Sequence, residues 1–173
     1  RPARAGDAAA GPADTDAVLA VLDEAAAWLA HRGIAQWPAR FDPGWVTGAV
    51  GRGETWLVRD AGEVLATFTL AWSDPLWPAP GGDTAGYLHR LAVRRRAAGL
   101  GSVLLRWAGA AARARGRRYL RLDCVATNEG LRAYYEAAGF AHRGDVEVRG
   151  NPGQRAAAGP ATVVSRYERR LAG

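Results

Sequence analysis

The fold of this chain is decided by the stretch Leu91-Ala92-Val93-Arg94-Arg95-Arg96-Ala97-Ala98-Gly99-Leu100-Gly101-Ser102. An apolar strand ends at Val93, a short loop with two glycines follows, and an amphipathic helix begins at once. Such an arrangement directs successive backbone N–H groups and the positive end of a helix toward one point. Glycine lets the backbone approach a bulky anion, because a Cβ would collide with it. The stretch therefore predicts a phosphate or pyrophosphate site, with the arginine run beside it as mobile positive charge.

Two familiar phosphate-binding motifs do not account for this stretch. A P-loop needs a Gly-Lys-Ser/Thr ending, and the chain contains no lysine. A dinucleotide-binding fingerprint needs a third glycine and an acidic residue on a second parallel strand, and neither is evident.

The rest of the chain alternates between helical and strand periodicity, which indicates one α/β domain over residues 1–173. Asp14 and Asp42 are predicted helix caps, and Gly33 is a predicted helix stop. The predicted helices cover residues 14–32, 42–51, 100–115 and 128–138. The predicted strands cover residues 55–59, 64–72, 87–93, 118–124, 141–149 and 162–169, with loops at 73–84 and 150–160. In the third helix the predicted buried stripe is Leu100, Val103, Leu104, Trp107, Ala108 and Ala111.

Two sequence blocks carry a resemblance to a known family. Arg96-x-x-Gly99-x-Gly101 resembles the acetyl-CoA pyrophosphate loop of the GCN5-related N-acetyltransferase (GNAT) family. Downstream, Tyr134-Tyr135-Glu136-Ala137-Ala138-Gly139-Phe140 resembles the second signature of the family, an aromatic-Tyr-Glu-x-x-Gly-Phe helix end after a helix that starts near an asparagine, here Asn128. The two blocks and their spacing cover roughly residues 84–143.

The resemblance implies a fold, a cofactor and a reaction. The fold is a single-domain mixed sheet of about six to seven strands flanked by about four helices, with two parallel strands splayed apart at the CoA site. Acetyl-CoA is the implied co-substrate and no metal is expected. Tyr135 matches the tyrosine that protonates the departing thiolate, although an ordinary packed tyrosine is the alternative. The implied cofactor-binding residues are Leu91, Ala92, Val93, Arg96, Ala98, Gly99, Leu100, Gly101, Ser102, Asn128 and Tyr135.

The general base that would deprotonate the amine is left open among three residues. His89 lies on the strand before the loop, where period two places Tyr87, His89, Leu91 and Val93 on one face, and a histidine commonly titrates near neutral pH. Asp123 lies on the facing strand. Asp74 lies in the loop that could border the acceptor site. Each also has a structural alternative, such as a hydrogen-bonded histidine or an ion pair with an arginine.

The aromatic residues and the single cysteine could belong to the site or to the core. Trp37, Trp72 and Trp77 fall in or beside loops, where they could line an acceptor pocket and attract a cationic amine, or could simply pack. Trp28, Trp56 and Trp107 sit in periodic elements and are predicted core residues. Cys124 excludes an internal disulfide and is predicted to be a small buried residue.

The charge has two readings. The net charge is +6 and the pI about 10.4, yet all 23 basic residues are arginine. That pattern is typical of a GC-rich genome, and we expect a bacterial one. It indicates a solvated basic surface more than a nucleic-acid footprint. With three histidines and one cysteine a Cys/His zinc site is not expected, and no apolar run is long enough for a bilayer span. These features predict a cytoplasmic protein without a membrane partner.

The sequence therefore predicts an acetyl-CoA-dependent N-acetyltransferase that acts on a small-molecule amine, as a monomer or homodimer. Three alternatives remain: a protein or peptide N-acetyltransferase, an acetyltransferase acting on charged tRNA, and a non-catalytic acyl-CoA-binding module. Nucleic acid is not the expected partner, because the arginines are scattered through every element.

Overall fold

A computed structural model of the chain describes residues 8–78, 84–150 and 157–172. The helices are α1 (Thr15–His31), α2 (Pro43–Gly51), α3 (Leu100–Ala114) and α4 (Glu129–Ala137). The strands are β1 (Ala8–Ala9), β2 (Thr55–Asp60), β3 (Glu63–Ala71), β4 (Ala85–Val93), β5 (Tyr119–Val125), β6 (Ala141–Arg149) and β7 (Ala161–Arg170). The predicted order is confirmed, and β1 and two single-turn 3₁₀ helices, Pro12–Asp14 and Arg95–Ala97, are added to it. The predicted loops at 73–84 and 150–160 lie partly outside the described residues.

The described strands form one mixed sheet in the order β1-β2-β3-β4-β5-β7-β6. Neighbouring strands are antiparallel except β4 and β5, which are parallel and are joined through α3. A parallel pair needs a crossover connection, and this helix supplies it. The described residues thus have the predicted fold class, while the extension of the domain over residues 1–173 stays a prediction.

Two apolar layers cover the two faces of the sheet. One layer packs α1 and α2 against the sheet, and the other packs α3 and α4 against it. Neighbouring residues of β2 belong to different layers. Leu57 packs in the layer of α1 and α2, called the α1 layer, and Val58 packs in the layer of α3 and α4, called the α3 layer. This division follows from the two-residue alternation of a strand, so the sheet forms the middle of a three-layer sandwich.

The two predicted helix caps have different outcomes. Asp42 is confirmed, since its carboxylate accepts a hydrogen bond from the Gly44 N–H at 2.7 Å. Asp14 directly precedes α1, but its side chain does not cap that helix. A 3₁₀ turn runs straight into α1, so the carboxylate of Asp14 accepts from the Gly11 N–H at 2.9 Å and pairs with Arg59 of β2. Asp14 therefore fastens the helix start to the sheet.

The buried face of α3 is rotated relative to the predicted stripe. Leu104 and Ala108 are buried as predicted, whereas Leu100, Trp107 and Ala111 are only partly buried and Leu105 was missed. The helix approaches the sheet through small residues: a Cβ added at Gly86 of β4 would lie 3.0 Å from the Ala112 Cβ. Apolar spacing alone gives no weight to such small residues, which is why the stripe was misplaced. The buried residues of α3 are Leu104, Leu105, Ala108, Gly109 and Ala112.

The parallel strands β4 and β5 separate part of the way along their length. In the described chain their backbone pairing is confined to Ala85–Tyr87 and Tyr119–Arg121. At the last pair in register, Arg121 donates a hydrogen bond to the Tyr87 hydroxyl at 3.2 Å. Beyond this point β5 continues in register with β7 and β4 with β3. The sheet therefore has an opening between its two central strands, as the resemblance implies.

A bulge in β4 lies beside this opening. Thr67 of β3 pairs with Ala92, and Thr69 pairs with His89, so β4 has one more residue than β3 between these pairs. Arg90 takes φ of +53° there, a left-handed conformation that is uncommon outside glycine. The extra residue locally interrupts the ladder and re-aims the side chains that follow it.

The bulge overturns the prediction that Tyr87, His89, Leu91 and Val93 share one face. Leu91 and Val93 pack with the α3 layer, as Leu88 does, whereas Tyr87 belongs to a small cluster around Trp77. One extra residue shifts the two-residue alternation by one position. His89 therefore stays with Tyr87 and is separated from Leu91 and Val93.

None of the helices in the described part of the chain combines the length and the apolarity that crossing a membrane requires.

The corrected face of α3 can be tested with two identical changes on one helix. Leu105→Ala should lower the free energy of unfolding by about 2–5 kcal/mol, because the side chain is 1% exposed and its loss leaves a cavity. Leu100→Ala should cost clearly less, since that side chain is only partly buried. Denaturant unfolding followed by circular dichroism measures both. A larger loss at Leu100 would restore the stripe predicted from the sequence.

Candidate functional site

A cavity of about 1010 Å³ opens where β4 and β5 separate. Its volume matches the upper range of small-molecule sites. The walls come from the end of α1, the connection to α2, α2 itself, the separated parts of β4 and β5, and α4, with a few residues of β3, β6 and β7. The cavity thus collects elements that are distant in the sequence around one opening in the sheet.

The β4 wall of the cavity includes the predicted residues Leu91, Ala92 and Val93. Their strand pairs with β3 on one side, and its other edge faces the opening instead of β5. Backbone N–H and C=O groups along such an edge are strong hydrogen-bonding groups that require partners. An extended ligand with amide groups could supply those partners by lying along the strand.

The glycine loop leads from this strand into α3. Gly99 has φ of +101° and ψ of −17°, a left-handed conformation that turns the chain into the helix. In this structure no side chain caps the start of α3. The first backbone N–H groups of the helix therefore have no capping side chain as acceptor. Ser102 directs its hydroxyl back to the Gly99 carbonyl at 3.3 Å. A glycine turn that leads into a helix N-terminus can receive an anion, and the role of the predicted loop residues Ala98, Gly99, Leu100, Gly101 and Ser102 toward a ligand stays a prediction.

Gly101 lies where this loop meets α4. A Cβ placed on Gly101 would be 2.6 Å from the Tyr134 hydroxyl oxygen. Both Gly101 and Tyr134 line the cavity. The glycine therefore keeps the space between the start of α3 and α4 open.

The three arginines that precede the loop have separate partners. Arg94 donates to the Val64 carbonyl at 2.8 Å, and Arg95 stacks on Trp28 at 4.2 Å from the ring centre. Arg96, the predicted phosphate ligand, forms an exposed ion pair with Glu63, whose carboxyl pKa is lowered by the hydrogen bond from that guanidinium. In this structure the side chain of Arg96 thus binds a carboxylate of β3, and its role toward a ligand stays a prediction.

The three candidate bases lie together. His89 Nε2 is 3.3 Å from an oxygen of Asp74, whose side chain is only 2% exposed. One ligand atom from each of Asp74, His89 and Asp123 lies within 4.8 Å of the other two. The reason is geometric: His89 and Asp123 each follow the last paired residues, Tyr87 and Arg121, by two positions, so they lie on the same face across the opening.

This group of three could act on a proton or hold a cation. Carboxylates beside a histidine orient its ring, and an imidazole is a common general base. The same carboxylate and imidazole atoms are ligand types that bind divalent metals. His89 and Asp123 line the cavity, while Asp74 supports His89 from behind.

Tyr135 lies on the buried face of α4, at the wall of the cavity. It is 6% exposed and contacts Phe140 and Tyr167, with ring centres 5.8 and 6.3 Å away. Burial raises the pKa of Tyr135 well above its usual range, and nearby Cys124 adds to this effect. The phenol is therefore both a packed residue and a protonated donor that lines the cavity.

Asn128 begins α4 and is already engaged by two neighbours. Its side-chain oxygen caps the helix by accepting from the Leu131 N–H at 3.2 Å, and its amide nitrogen donates to Gln36 at 3.1 Å. The same Gln36 oxygen accepts from the Val125 N–H at 3.0 Å. Gln36 was missed by the sequence analysis, and its position in a loop gave no periodic signal. It connects the α1–α2 segment to the separated end of β5.

The aromatic side chains of the cavity differ from the predicted set. Trp37 lines the cavity as predicted, but Trp72 and Trp77 do not. Trp77 is buried beside Tyr87, and Trp72 is covered by Arg115 at 4.4 Å from its ring centre. Trp72 packs against the α3 layer and Trp77 against Ala85 and Tyr87, so both have packing roles away from the cavity. Aromatic residues that were not predicted at the cavity, and line it, are Trp28, Phe41 and Trp45.

Cys124 is confirmed as a buried small residue. It is 0% exposed within the α3 layer, and burial raises the pKa of its thiol to about 12. A thiol that stays protonated at neutral pH is a poor nucleophile, so this residue takes part in packing.

Comparison with known proteins identifies the chain's relatives. Residues 22–140 match the model of the Acetyltransferase (GNAT) family. The chain is 33% identical over 141 residues to the uncharacterized N-acetyltransferase YesJ of Bacillus subtilis strain 168, covering 76% of this chain and 78% of that protein.

Solved structures of similar fold extend over nearly the whole chain. A GNAT-family acetyltransferase of Listeria monocytogenes superposes with a TM-score of 0.71 at 24% identity, covering 96% of this chain and 98% of that one. YncA of Salmonella typhimurium, described as an acetyltransferase and solved with its cofactor acetyl-CoA, superposes with a TM-score of 0.68 at 15% identity, covering 99% and 96% of the two chains. At these identities the likeness concerns the fold.

Proposed function

The chain belongs to the GNAT family of acetyltransferases, and from this premise we propose that it transfers the acetyl group of acetyl-CoA to the primary amine of a small molecule. The observation that carries the proposal is the shared cavity. One space of about 1010 Å³ contains the open edge of β4, His89, Asp123 and Tyr135, and reaches Gly101. Acetyl-CoA lying along β4 and an acceptor amine beside Asp74, His89 and Asp123 would thus meet in one cavity.

The residues present fit acetyl-CoA. The N–H groups at the start of α3 and the glycines before it suit a pyrophosphate, because the helix end is positive and Gly101 leaves room for the backbone to approach. The edge of β4 at Leu91, Ala92 and Val93 suits the amide groups of a pantetheine arm. When bound, acetyl-CoA supplies a thioester whose carbonyl carbon an amine can attack.

Positioning of the two reactants would provide much of the rate. Backbone N–H groups on the open edge of β4 would donate to the carbonyl oxygen as negative charge develops on it. Both functions would use backbone groups and need no particular side chain of β4.

We assign the base role to His89, supported by Asp74 and Asp123. An amine is protonated at neutral pH and has to lose a proton before it attacks. His89 faces the cavity, and Asp74 holds its Nε2 side at 3.3 Å. Asp123 offers a second carboxylate to the ammonium group before the proton is removed.

Tyr135 is the proposed proton donor to the leaving thiolate. Its hydroxyl bonds to no other described residue, so it is available to a ligand. A raised pKa keeps the phenol protonated over the ordinary assay range. The same shift makes it a weak acid, so its contribution would be a hydrogen bond that strengthens as the thiolate forms.

A small acceptor is favoured over charged tRNA by what the arginines do. Many of them cover aromatic rings of this chain: Arg115 and Arg117 lie over Trp72, while Arg121 and Arg166 lie over Trp77. These four guanidinium groups pack against rings, which makes them less available to a nucleic-acid backbone. The rings of Trp37, Phe41 and Trp45 form part of the cavity wall, which favours a small acceptor.

Gly101→Glu tests the cofactor site. The carboxylate would fill the gap next to Tyr134 and oppose the phosphates, so acetyl-CoA affinity should fall at least about 100-fold, a change of roughly 2.7 kcal/mol. Isothermal titration calorimetry measures the dissociation constant. Gly51→Glu, at the end of α2 where a Cβ meets nothing within 4 Å, is the matched control and should bind normally. Unchanged affinity in folded Gly101→Glu would refute this site.

His89→Gln tests the base. We expect kcat/KM to fall about 100- to 10,000-fold, because the amide cannot accept the proton, while acetyl-CoA affinity is kept. His142→Gln is the matched control, since His142 also pairs with a carboxylate, Asp145, but outside the cavity. Dialysis against a chelator should leave wild-type activity unchanged. Loss on chelation and recovery with Zn²⁺ would instead make the cluster a metal site.

Tyr135→Phe tests the proton donor through both rate and pH profile. We expect kcat to fall about 10- to 1000-fold, at every pH, with little change in acetyl-CoA affinity. Because burial raises the pKa of Tyr135, the group keeps its proton as pH rises, and wild-type activity should reach a plateau without an alkaline decline caused by this residue. Tyr134→Phe should have a small effect. A larger loss in Tyr134→Phe would transfer the role to that residue.

A further inference from the structure

Arg90 is placed in the cavity by an unusual backbone. It occupies the β4 bulge with φ of +53°, in a conformation that non-glycine residues adopt rarely. Its side chain is partly buried and lines the cavity. Strained backbone of this kind persists where the surrounding structure enforces it, and it occurs often at functional sites. The bulge thus turns a guanidinium into the space that the proposed acceptor would occupy.

The neighbours of Arg90 do not neutralise its charge. Its guanidinium carbon lies 5.8 Å from the Phe41 ring centre and 5.6 Å from that of Trp45. No carboxylate among the described residues pairs with it. Burial lowers the pKa of Arg90, and the like charge of Arg52 adds to this effect. Arg52 itself is satisfied by Glu54 at 3.0 Å.

Other arginines around the cavity are arranged differently. Arg32 is exposed to solvent, and Arg95 stacks on Trp28 beside the loop. Arg94 and Arg96 pair with acidic residues on α1 and β3. Arg90 therefore combines partial burial, a place in the cavity and a positive charge that pairs with no carboxylate among the described residues. A desolvated charge is costly unless an opposite charge pairs with it.

We propose that Arg90 binds an anionic group of the acceptor, so that the substrate is an amine carrying a carboxylate, phosphate or phosphonate. This inference rests on the proposed function, which it deepens by naming the substrate class. Arginine suits such groups because its planar fork can donate two parallel hydrogen bonds.

The two ends of this acceptor would be recognised by adjacent residues. His89 and Asp123 take the amine, and Arg90, the next residue after His89, takes the anion. His89 and Arg90 line the cavity side by side, so we expect one small molecule such as an amino acid to reach both. The Phe41 and Trp45 rings already carry the Arg90 guanidinium. They consequently favour an anion at Arg90 over a substrate ammonium at their faces.

The cofactor phosphates are the other possible source of an anion. Arg90 precedes the loop of residues 98–102 on the chain, and its ring partners come from the α1–α2 region and not from the loop or α3. This placement favours the acceptor. The experiment below separates the two sources by measuring acetyl-CoA and acceptor independently.

The test uses matched acceptors that differ only in the anion. The full-length protein is assayed for CoA release with the common amino acids and their carboxamides, and with 2-aminoethylphosphonate against ethanolamine. Wild type should prefer the anionic member of a pair. Arg90→Gln should lower kcat/KM for anionic acceptors roughly 10- to 100-fold, the usual effect of losing a hydrogen bond between charged groups, and leave the neutral members unchanged. Arg90→Lys, which keeps the charge, should retain part of the preference.

Controls separate this role from cofactor binding and from packing. Arg40→Gln removes an exposed arginine outside the cavity and should behave like wild type. Arg90→Gln should keep its acetyl-CoA dissociation constant and its melting temperature. Weakened acetyl-CoA binding would assign Arg90 to the cofactor phosphates and overturn the proposal. A lower melting temperature with equal losses on acid and amide would assign it to packing and also overturn it.

Binding measurements keep the proposal testable if acetyl transfer itself fails. The CoA-saturated protein is titrated with the same acid and amide pairs by calorimetry. Tighter binding of the acids by wild type, lost in Arg90→Gln, supports the anion site even where no CoA is released, and the proposed reaction alone is then wrong. Equal binding and equal turnover of acids and amides by wild type would refute the anion site while leaving acetyl transfer intact.

Discussion

The loss of backbone pairing between β4 and β5 is the constraint on which the site depends. The strands are held together up to Tyr87 and Arg121, and α3 and α4 on one face and α1 and α2 on the other keep the sheet intact beyond that point. An opening in the centre of a sheet exposes backbone groups that would otherwise be paired, which is costly unless they find partners. A ligand that lies along the strand can satisfy them. The opening is therefore both a local weakness of the fold and the feature that creates the cavity.

The bulge at Arg90 divides β4 into two parts with different roles. Before it, the strand keeps its register with β5, and the face that bears Tyr87 also bears His89. After it, Leu91 and Val93 pack inward with α3 and anchor the start of the glycine loop. Without the extra residue, this alternation would continue unbroken through the strand. One inserted residue thus lets the same strand hold a candidate base, a cavity arginine and the approach to the anion site.

Many of the arginines that give the chain its positive charge also have packing roles. Arg121 donates to Glu168 at 2.8 Å and lies over Trp77, and Arg169 donates to two backbone carbonyls while covering Phe140. A guanidinium group can stack on an aromatic ring and donate hydrogen bonds at the same time. An arginine-rich composition can therefore provide packing around aromatic side chains as well as surface charge. Because most of these groups have partners, net charge is a poor guide to what the protein binds.

The sequence by itself determined the order of the elements, the glycine loop at Gly99 and Gly101, and the family. These features depend on local periodicity and on residues adjacent in the chain, which the sequence states directly. It also named His89, Asp123 and Asp74, but only as alternatives, because their sequence separation says nothing about distance. The tertiary structure brought them into one cluster through strand register and a folded-back loop. It also placed Gln36 at the cavity through a contact between distant segments, and Arg90 through a one-residue bulge. Neither leaves a periodic signal, since each arises only when separate strands and loops pack together.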